Sequence, residues 1–190
     1  GLILGWVLAT HGWNPLELAR LGSRYSGTLG PTSGVEGAET AGYDGQFAYY
    51  IALDPAPAAV VTHLDVPAYR YQRILLPLLA RLLAWVLNPG SAAAVAWTLP
   101  LINLLAHAAA TWVVAELLTE RGMWRGFALA YGLWVGFAYA VRLDLAEPLS
   151  VGLSAAGFWL ANRPVTGKSP SSFGSQPLPA ALCFGLALFA

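Results

Sequence analysis

Between Ala92 and Leu118 the chain carries a single charged residue, Glu116, and an uninterrupted apolar run of that length has few uses. It exceeds the ~20 residues a helix needs to cross a bilayer, with room for tilt. Two more apolar stretches follow, Trp124 to Val141 and Leu149 to Asn162, and both are expected to span. Gly1 to Trp13 reads as the end of a first span and Leu178 to Ala190 as the start of a further one. No basic n-region opens the first run and no clear A-x-A site precedes His11, which argues against a signal peptide. The expectation is an all-α, polytopic transmembrane helical bundle with about five spans in this stretch. Residues 1–190 would be one transmembrane domain, incomplete at both ends, with 14–91 as a long extracytoplasmic loop containing interfacial helices and 163–177 as a cytoplasmic linker.

Composition agrees. The chain is 57% hydrophobic and only 11% charged, where soluble domains carry about 25% charged residues. Its formal net charge is zero and its only lysine is Lys168, so it lacks the basic stripe by which proteins hold nucleic acid. One cysteine, Cys183, excludes an internal disulfide, a Cys-rich metal site and a CxxC motif.

Polar chemistry is concentrated between Tyr43 and Arg73, which hold Asp44, Asp54, Asp65, Arg70 and Arg73. Before it, Asn14-Pro15 opens a short helix over Leu16 to Leu21, and the Gly-, Ser- and Pro-rich 27–42 reads as loop. Phe47 to Leu53 has helical spacing, which puts Asp44 at or near a helix N-terminus, and Asp54-Pro55-Ala56-Pro57 stops that helix. Ile74 to Leu87, with Pro77 near its start and Arg81 at its middle, has the length of an interfacial helix rather than a span. With that helix lying flat, the loop of Glu120, Arg121 and Arg125 and the linker of Arg163 and Lys168 face the cytoplasm, as short basic loops do. The turn from Arg142 to Pro148 then returns to the side of Asp44. No internal repeat is expected.

Several side chains can carry chemistry. Asp44, beside Tyr43, Gly45 and Gln46, can act as a general base toward an acceptor hydroxyl, or serve only as an N-cap. Asp144 and Glu147, at a spacing of three, share one side of a helical turn. With Asp44 they are candidates for a divalent-cation site, or for one raised-pKa acid beside an ionised base; the alternative is that they cap the next helix. Arg70 and Arg73 suit phosphate oxygens, or snorkel to ordinary lipid. Asp65 pairs with one of them or joins the site. Tyr49, Tyr50, Tyr69 and Tyr71 stack on a sugar or form an aromatic belt, His63 reads as a lone loop histidine, and His107 bonds a neighbouring helix from within a span.

The order of a first span, a long outer loop with an early acid (Tyr43-Asp44-Gly45-Gln46), a flat helix after Tyr69-Arg70-Tyr71-Gln72-Arg73 and a second outer turn with Asp144 and Glu147 resembles the C-type membrane glycosyltransferases. Within them it looks like bacterial relatives of the dolichyl-phosphate-mannose-dependent mannosyltransferases. The resemblance implies an integral protein of the bacterial plasma membrane, active on the extracytoplasmic face. It implies a polyprenyl-phosphate sugar as donor and a glycan, lipid or protein as acceptor, with Asp44 as catalytic base. Arg70 or Arg73 would contact the donor phosphate, and Asp144 or Glu147 would assist acceptor or metal binding. Tyr43, Gln46 and Asp65 complete the candidate substrate-binding set. Asp44 is followed by Gly-Gln rather than by a second acid, which departs from an acidic metal pair at that point. A non-catalytic lipid or solute transporter and a scaffold subunit are the other readings. Convergence of Asp44, Asp144 and Glu147 on one cavity favours the enzyme.

Overall fold

The computed structural model describes residues 2–26, 41–162 and 177–190, and all regular structure among them is helical. The expected loop residues 27–40 and the expected linker, with Arg163 and Lys168, lie outside the described residues. The helices are α1 (Leu2–Thr10), α2 (Leu16–Ala19), α3 (Ser23–Ser26), α4 (Gly45–Leu53), α5 (Pro57–Val60) and α6 (Pro67–Gln72). They continue as α7 (Leu75–Leu87), α8 (Ala92–Glu120), α9 (Ala128–Gly132), α10 (Val135–Arg142), α11 (Glu147–Asn162) and α12 (Pro177–Ala187).

The longest apolar run forms α8, a 29-residue helix about 43 Å long at 1.5 Å per residue. Ser91 starts it by accepting the Ala94 N–H on its hydroxyl at 3.2 Å. Among the described residues α8 is the one helix long and apolar enough to cross a membrane. Trp97, Leu101, Leu105 and Trp112 leave it an exposed apolar flank, a surface that suits lipid.

The other expected spans differ. Trp124 to Val141 is not one helix but a 3₁₀ turn (Arg125–Phe127), α9 and α10, with Trp124 and Trp134 in extended conformation (ψ 120° and 124°) before the 3₁₀ turn and α10. A local repeat explains the breaks: Trp124-Arg125-Gly126-Phe127 recurs as Trp134-Val135-Gly136-Phe137. In each copy the indole lies over the glycine two residues on, where a Cβ would run into the ring at Gly126 and stand 3.2 Å from it at Gly136, and meets the phenylalanine edge-on at 5.5 and 5.3 Å. The sequence therefore does hold a short internal repeat. α11, of 16 residues, and α12, of 11, are each shorter than a lone span. Small residues let these helices approach: a Cβ on Gly152 would stand 2.9 Å from the Ala106 carbonyl of α8, and one on Gly157 3.2 Å from the Ala180 carbonyl of α12.

The amphipathic helix after Arg73 forms as α7, thirteen residues, about 20 Å long and too short to cross ~30 Å of hydrocarbon by itself. It packs on α4 and α8 through Leu76, Pro77, Ala80 and Ala84. The core lies where these three helices meet, built from Phe47, Tyr50, Ile51, Leu76, Ala80 and Leu99. α4 is buried from Gly45 to Ala52 apart from Ala48, so whatever stands at its two ends is held firmly.

Candidate functional site

The N-terminus of α4 is fixed by a clamp of backbone and amide groups. Gly42 takes a positive φ of 69°, and a Cβ there would stand 2.5 Å from the Gly22 nitrogen, so only glycine fits. Gln46 accepts the Gly22 N–H on Oε1 at 3.0 Å and donates from Nε2 to the Ala41 carbonyl at 2.7 Å. Gln46 is buried, and both ends of its amide face the backbone rather than a ligand. Its role as a substrate-binding residue is thus replaced by a structural one. Tyr43 donates its N–H to the Arg20 carbonyl at 3.0 Å, and its exposed side chain lines neither of the two cavities described below.

Asp44 occupies the N-cap position of α4, yet its carboxylate makes no capping bond. It turns instead to Arg70, whose Nη2 lies 3.0 Å from Oδ1. Arg70 also binds Asp65 through two nitrogens, Nε to Oδ1 at 2.8 Å and Nη2 to Oδ2 at 2.7 Å. Its guanidinium sits 4.1 Å from the centroid of the Phe47 ring, an arrangement that favours a cation on the ring face. The Arg70 bond holds the Asp65 carboxyl below its usual range. Burial opposes the charge on Arg70, but Asp65 and Asp44 outweigh that and raise its pKa above normal. Asp65 therefore positions Arg70, and Arg70 carries Asp44.

Asp144 arrives from the opposite direction. α10 ends in a left-handed residue, with Asp144 at φ 52° and the Leu145 N–H bonded to the Ala140 carbonyl at 3.0 Å. Glycine or asparagine is usual there. The turn packs directly on α4: a Cβ on Gly45 would collide with the Leu143 carbonyl and lie 3.1 Å from the Asp144 Cβ. Gly45 thus serves this backbone contact. Asp144 is 1% exposed, and neither carboxylate oxygen has a hydrogen-bond partner among the described residues. Burial without a hydrogen-bond partner disfavours the carboxylate and raises its pKa well above the usual carboxyl range.

Asp44, Phe47, Arg70, Arg73 and Asp144 line one small cavity of about 30 Å³, room for about one water. Arg73 also lines a larger neighbouring groove of about 330 Å³ with Tyr69, Gln72, Glu147 and Ser150. There Arg73 pairs with Glu147 at 3.3 Å and lies 5.1 Å from the Tyr69 ring centroid. Arg70 and Arg73 do not form one fork. They face different acids across adjoining cavities.

Asp44 and Asp144 therefore converge, whereas Glu147 stands one cavity away behind Arg73. Among the described residues no three His, Cys, Asp or Glu side chains are grouped to hold a metal ion, so the candidate cation site of Asp44, Asp144 and Glu147 is not formed. Gly45, whose lack of a side chain suits either a close approach at a substrate site or a turn, serves the turn. Phe47 was not marked as a site component by sequence, and its place in the first turn of α4, three residues after Asp44, is the only signal.

Other candidates fall into structural roles. His63 donates from Nδ1 to the Tyr25 carbonyl at 2.7 Å, and Tyr71 donates its hydroxyl to the Pro55 carbonyl at 3.0 Å. Tyr49 and Tyr50 are buried, and desolvation with the neighbouring Tyr49 pushes the Tyr50 hydroxyl up to about 12. Tyr69 alone of the four tyrosines lines a site cavity. His107 does bond a neighbouring segment, donating from Nε2 to the Gly132 carbonyl at 2.9 Å. No protein-family model matches the chain, nor does any curated protein or solved structure.

Proposed function

We propose that the chain is part of a membrane glycosyltransferase resembling the polyprenyl-phosphate-sugar-dependent enzymes of the C type, with about five membrane crossings in this stretch and its site on the extracytoplasmic face. In an inverting transfer, Asp44 takes the proton of an acceptor hydroxyl as the oxygen attacks the anomeric carbon of the donor sugar. The bond to the lipid phosphate breaks, and Arg70 or Arg73 holds the departing phosphate. The groove beside Arg73, with Tyr69 and Glu147 on its wall, has the size for a sugar phosphate. Asp144, buried on the same cavity with its pKa raised, serves as the acid partner beside the base.

The observation that carries this reading is the meeting of Asp44, Arg70, Arg73 and Asp144 around one cavity, although they come from segments far apart in the chain. Its test is Asp44→Asn in the full-length protein, assayed for sugar transfer from a polyprenyl-phosphate donor. Transfer should fall by at least 100-fold, the scale of a lost general base; undiminished turnover overturns the assignment.

A transporter is the second reading, and one feature favours it. Asn103 and His107 lie near the midpoint of α8, buried, with both Asn103 amide atoms and His107 Nδ1 unpartnered among the described residues. His107 faces the break after α9. Polar groups beside an interrupted helix at mid-membrane are what a transport path uses. Asn103→Leu separates the two readings when sugar transfer and solute or lipid flux are both measured: an enzyme keeps its transfer, and a transporter loses its flux.

A further inference from the structure

At the other end of α4, about 12 Å along the helix from Asp44, lies a second groove that the proposed transfer does not use. Its volume is about 350 Å³, and Leu53, Leu78, Arg81, Leu82, Trp85 and Ser91 are among its walls. Among the described residues Arg81 is the only charged side chain in the lining, with no acid beside it. Asp54, which follows Leu53 at the end of α4, accepts the Ala56 N–H at 3.0 Å and is not among the lining residues. Arg81 forms no salt bridge among the described residues. One nitrogen, Nη1, donates to the Ala52 and Leu53 carbonyls at the C-terminal end of α4. That anchors the guanidinium at the groove floor and leaves Nε and Nη2 of the fork without a protein partner among the described residues.

The surroundings specify what such a fork meets. Leu78, Leu82 and Trp85 are exposed and continue as an apolar stripe along α7 through Val86 and Leu87. An arginine fork matches phosphate oxygens in shape and charge. A positive fork at the head of an apolar stripe, beside a membrane-length helix, is complementary to an amphiphile with an anionic head and hydrocarbon tails. We propose that this groove binds an anionic phospholipid, its phosphate on Arg81 and its acyl chains along Leu78, Leu82 and Trp85. The site tethers the α4–α7–α8 junction to the membrane surface and is separate from the arginines next to Asp44.

The test is native mass spectrometry of the full chain released from detergent micelles, with phosphatidic acid offered against diacylglycerol of the same chains. The proposal expects phosphatidic acid to be retained at least tenfold over diacylglycerol. Arg81→Gln, which removes the charge and leaves only a shorter amide, should abolish that preference, and Arg73→Gln should not. Leu82→Glu, on the exposed wall, should abolish it without touching the α4 carbonyls, and it carries the test should Arg81→Gln fail to fold. Equal retention of the two lipids overturns the site, as does loss with Arg73→Gln alone. Displacement of phosphatidic acid by millimolar inorganic phosphate assigns the fork to a soluble anion and overturns it too.

Discussion

Arg70 holds Asp65 with two of its nitrogens, at 2.7 and 2.8 Å, and the same Nη2 reaches Asp44 at 3.0 Å. The bidentate pair is nearly buried on the arginine side, while Asp44 remains half-exposed. Asp65 is therefore the permanent partner and Asp44 the one that a ligand can replace on Arg70.

Asp65→Asn should lower stability by about 2 kcal/mol at neutral pH, the range for hydrogen bonds to a charged group. The pH dependence follows from the lowered folded pKa. The stabilisation from Asp65 is complete above its unfolded value of about 3.9 and is lost as pH falls through the folded value. Thermal melts of wild type and Asp65→Asn should therefore stay separated down to pH 4 and converge only under stronger acid.

Asp144 has the opposite sign. Its folded pKa lies above the unfolded value, so the folded state binds the extra proton and stability declines as pH rises from about 4 toward the folded value. Asp144→Asn removes the titration and suits the left-handed backbone, where asparagine is tolerated. At pH 7.5 this variant should melt above wild type, and the difference should shrink as pH approaches 4. If Asp144 serves the proposed transfer, the more stable variant will also be the slower one.

Gly45→Ala should be among the costliest single-methyl additions in the chain. Its Cβ meets the Leu143 carbonyl, a backbone atom that cannot swing away, and overpacking of this kind costs about 1–3 kcal/mol. Gly5→Ala in α1, with nothing within 4 Å of the added carbon, should instead gain roughly 0.5 kcal/mol from helix propensity. Melting temperatures of the two variants measure the contrast.

Gly132→Ala tests the seam between α9 and α8. Its Cβ would lie 2.7 Å from Thr111 Cγ2, while the Thr111 hydroxyl bonds only the His107 carbonyl of its own helix at 2.8 Å. The single variant should lose about 1–3 kcal/mol, and Thr111→Ala should restore most of it. The two substitutions should thus couple rather than add.

How much of this was visible in the chain depends on the range of the interaction. The run Ala92 to Leu118 predicts α8 to within two residues, because length and uniform apolarity need no tertiary partner. The stop at Asp54-Pro55 is equally local. The expected span from Trp124 to Val141 failed because its apolar content hides two helix restarts, although the repeated Trp-x-Gly-Phe was legible as a signal. Asp44 was visible as a candidate, but its pairing with Arg70 and its nearness to Asp144 depend on chain folding across widely separated segments. The burial of Asp144 depends on Gly45 fitting the turn at Leu143, a contact no periodicity encodes.

The amide of Gln46 ties the Gly22 N–H to the Ala41 carbonyl, so one side chain joins two backbone points well separated in sequence to the first turn of α4. Losing a buried amide of this kind leaves its backbone partners unpaired, at about 1–3 kcal/mol for each. Asp44, two residues before Gln46, therefore inherits its place from a neutral side chain that itself has no need to meet a ligand.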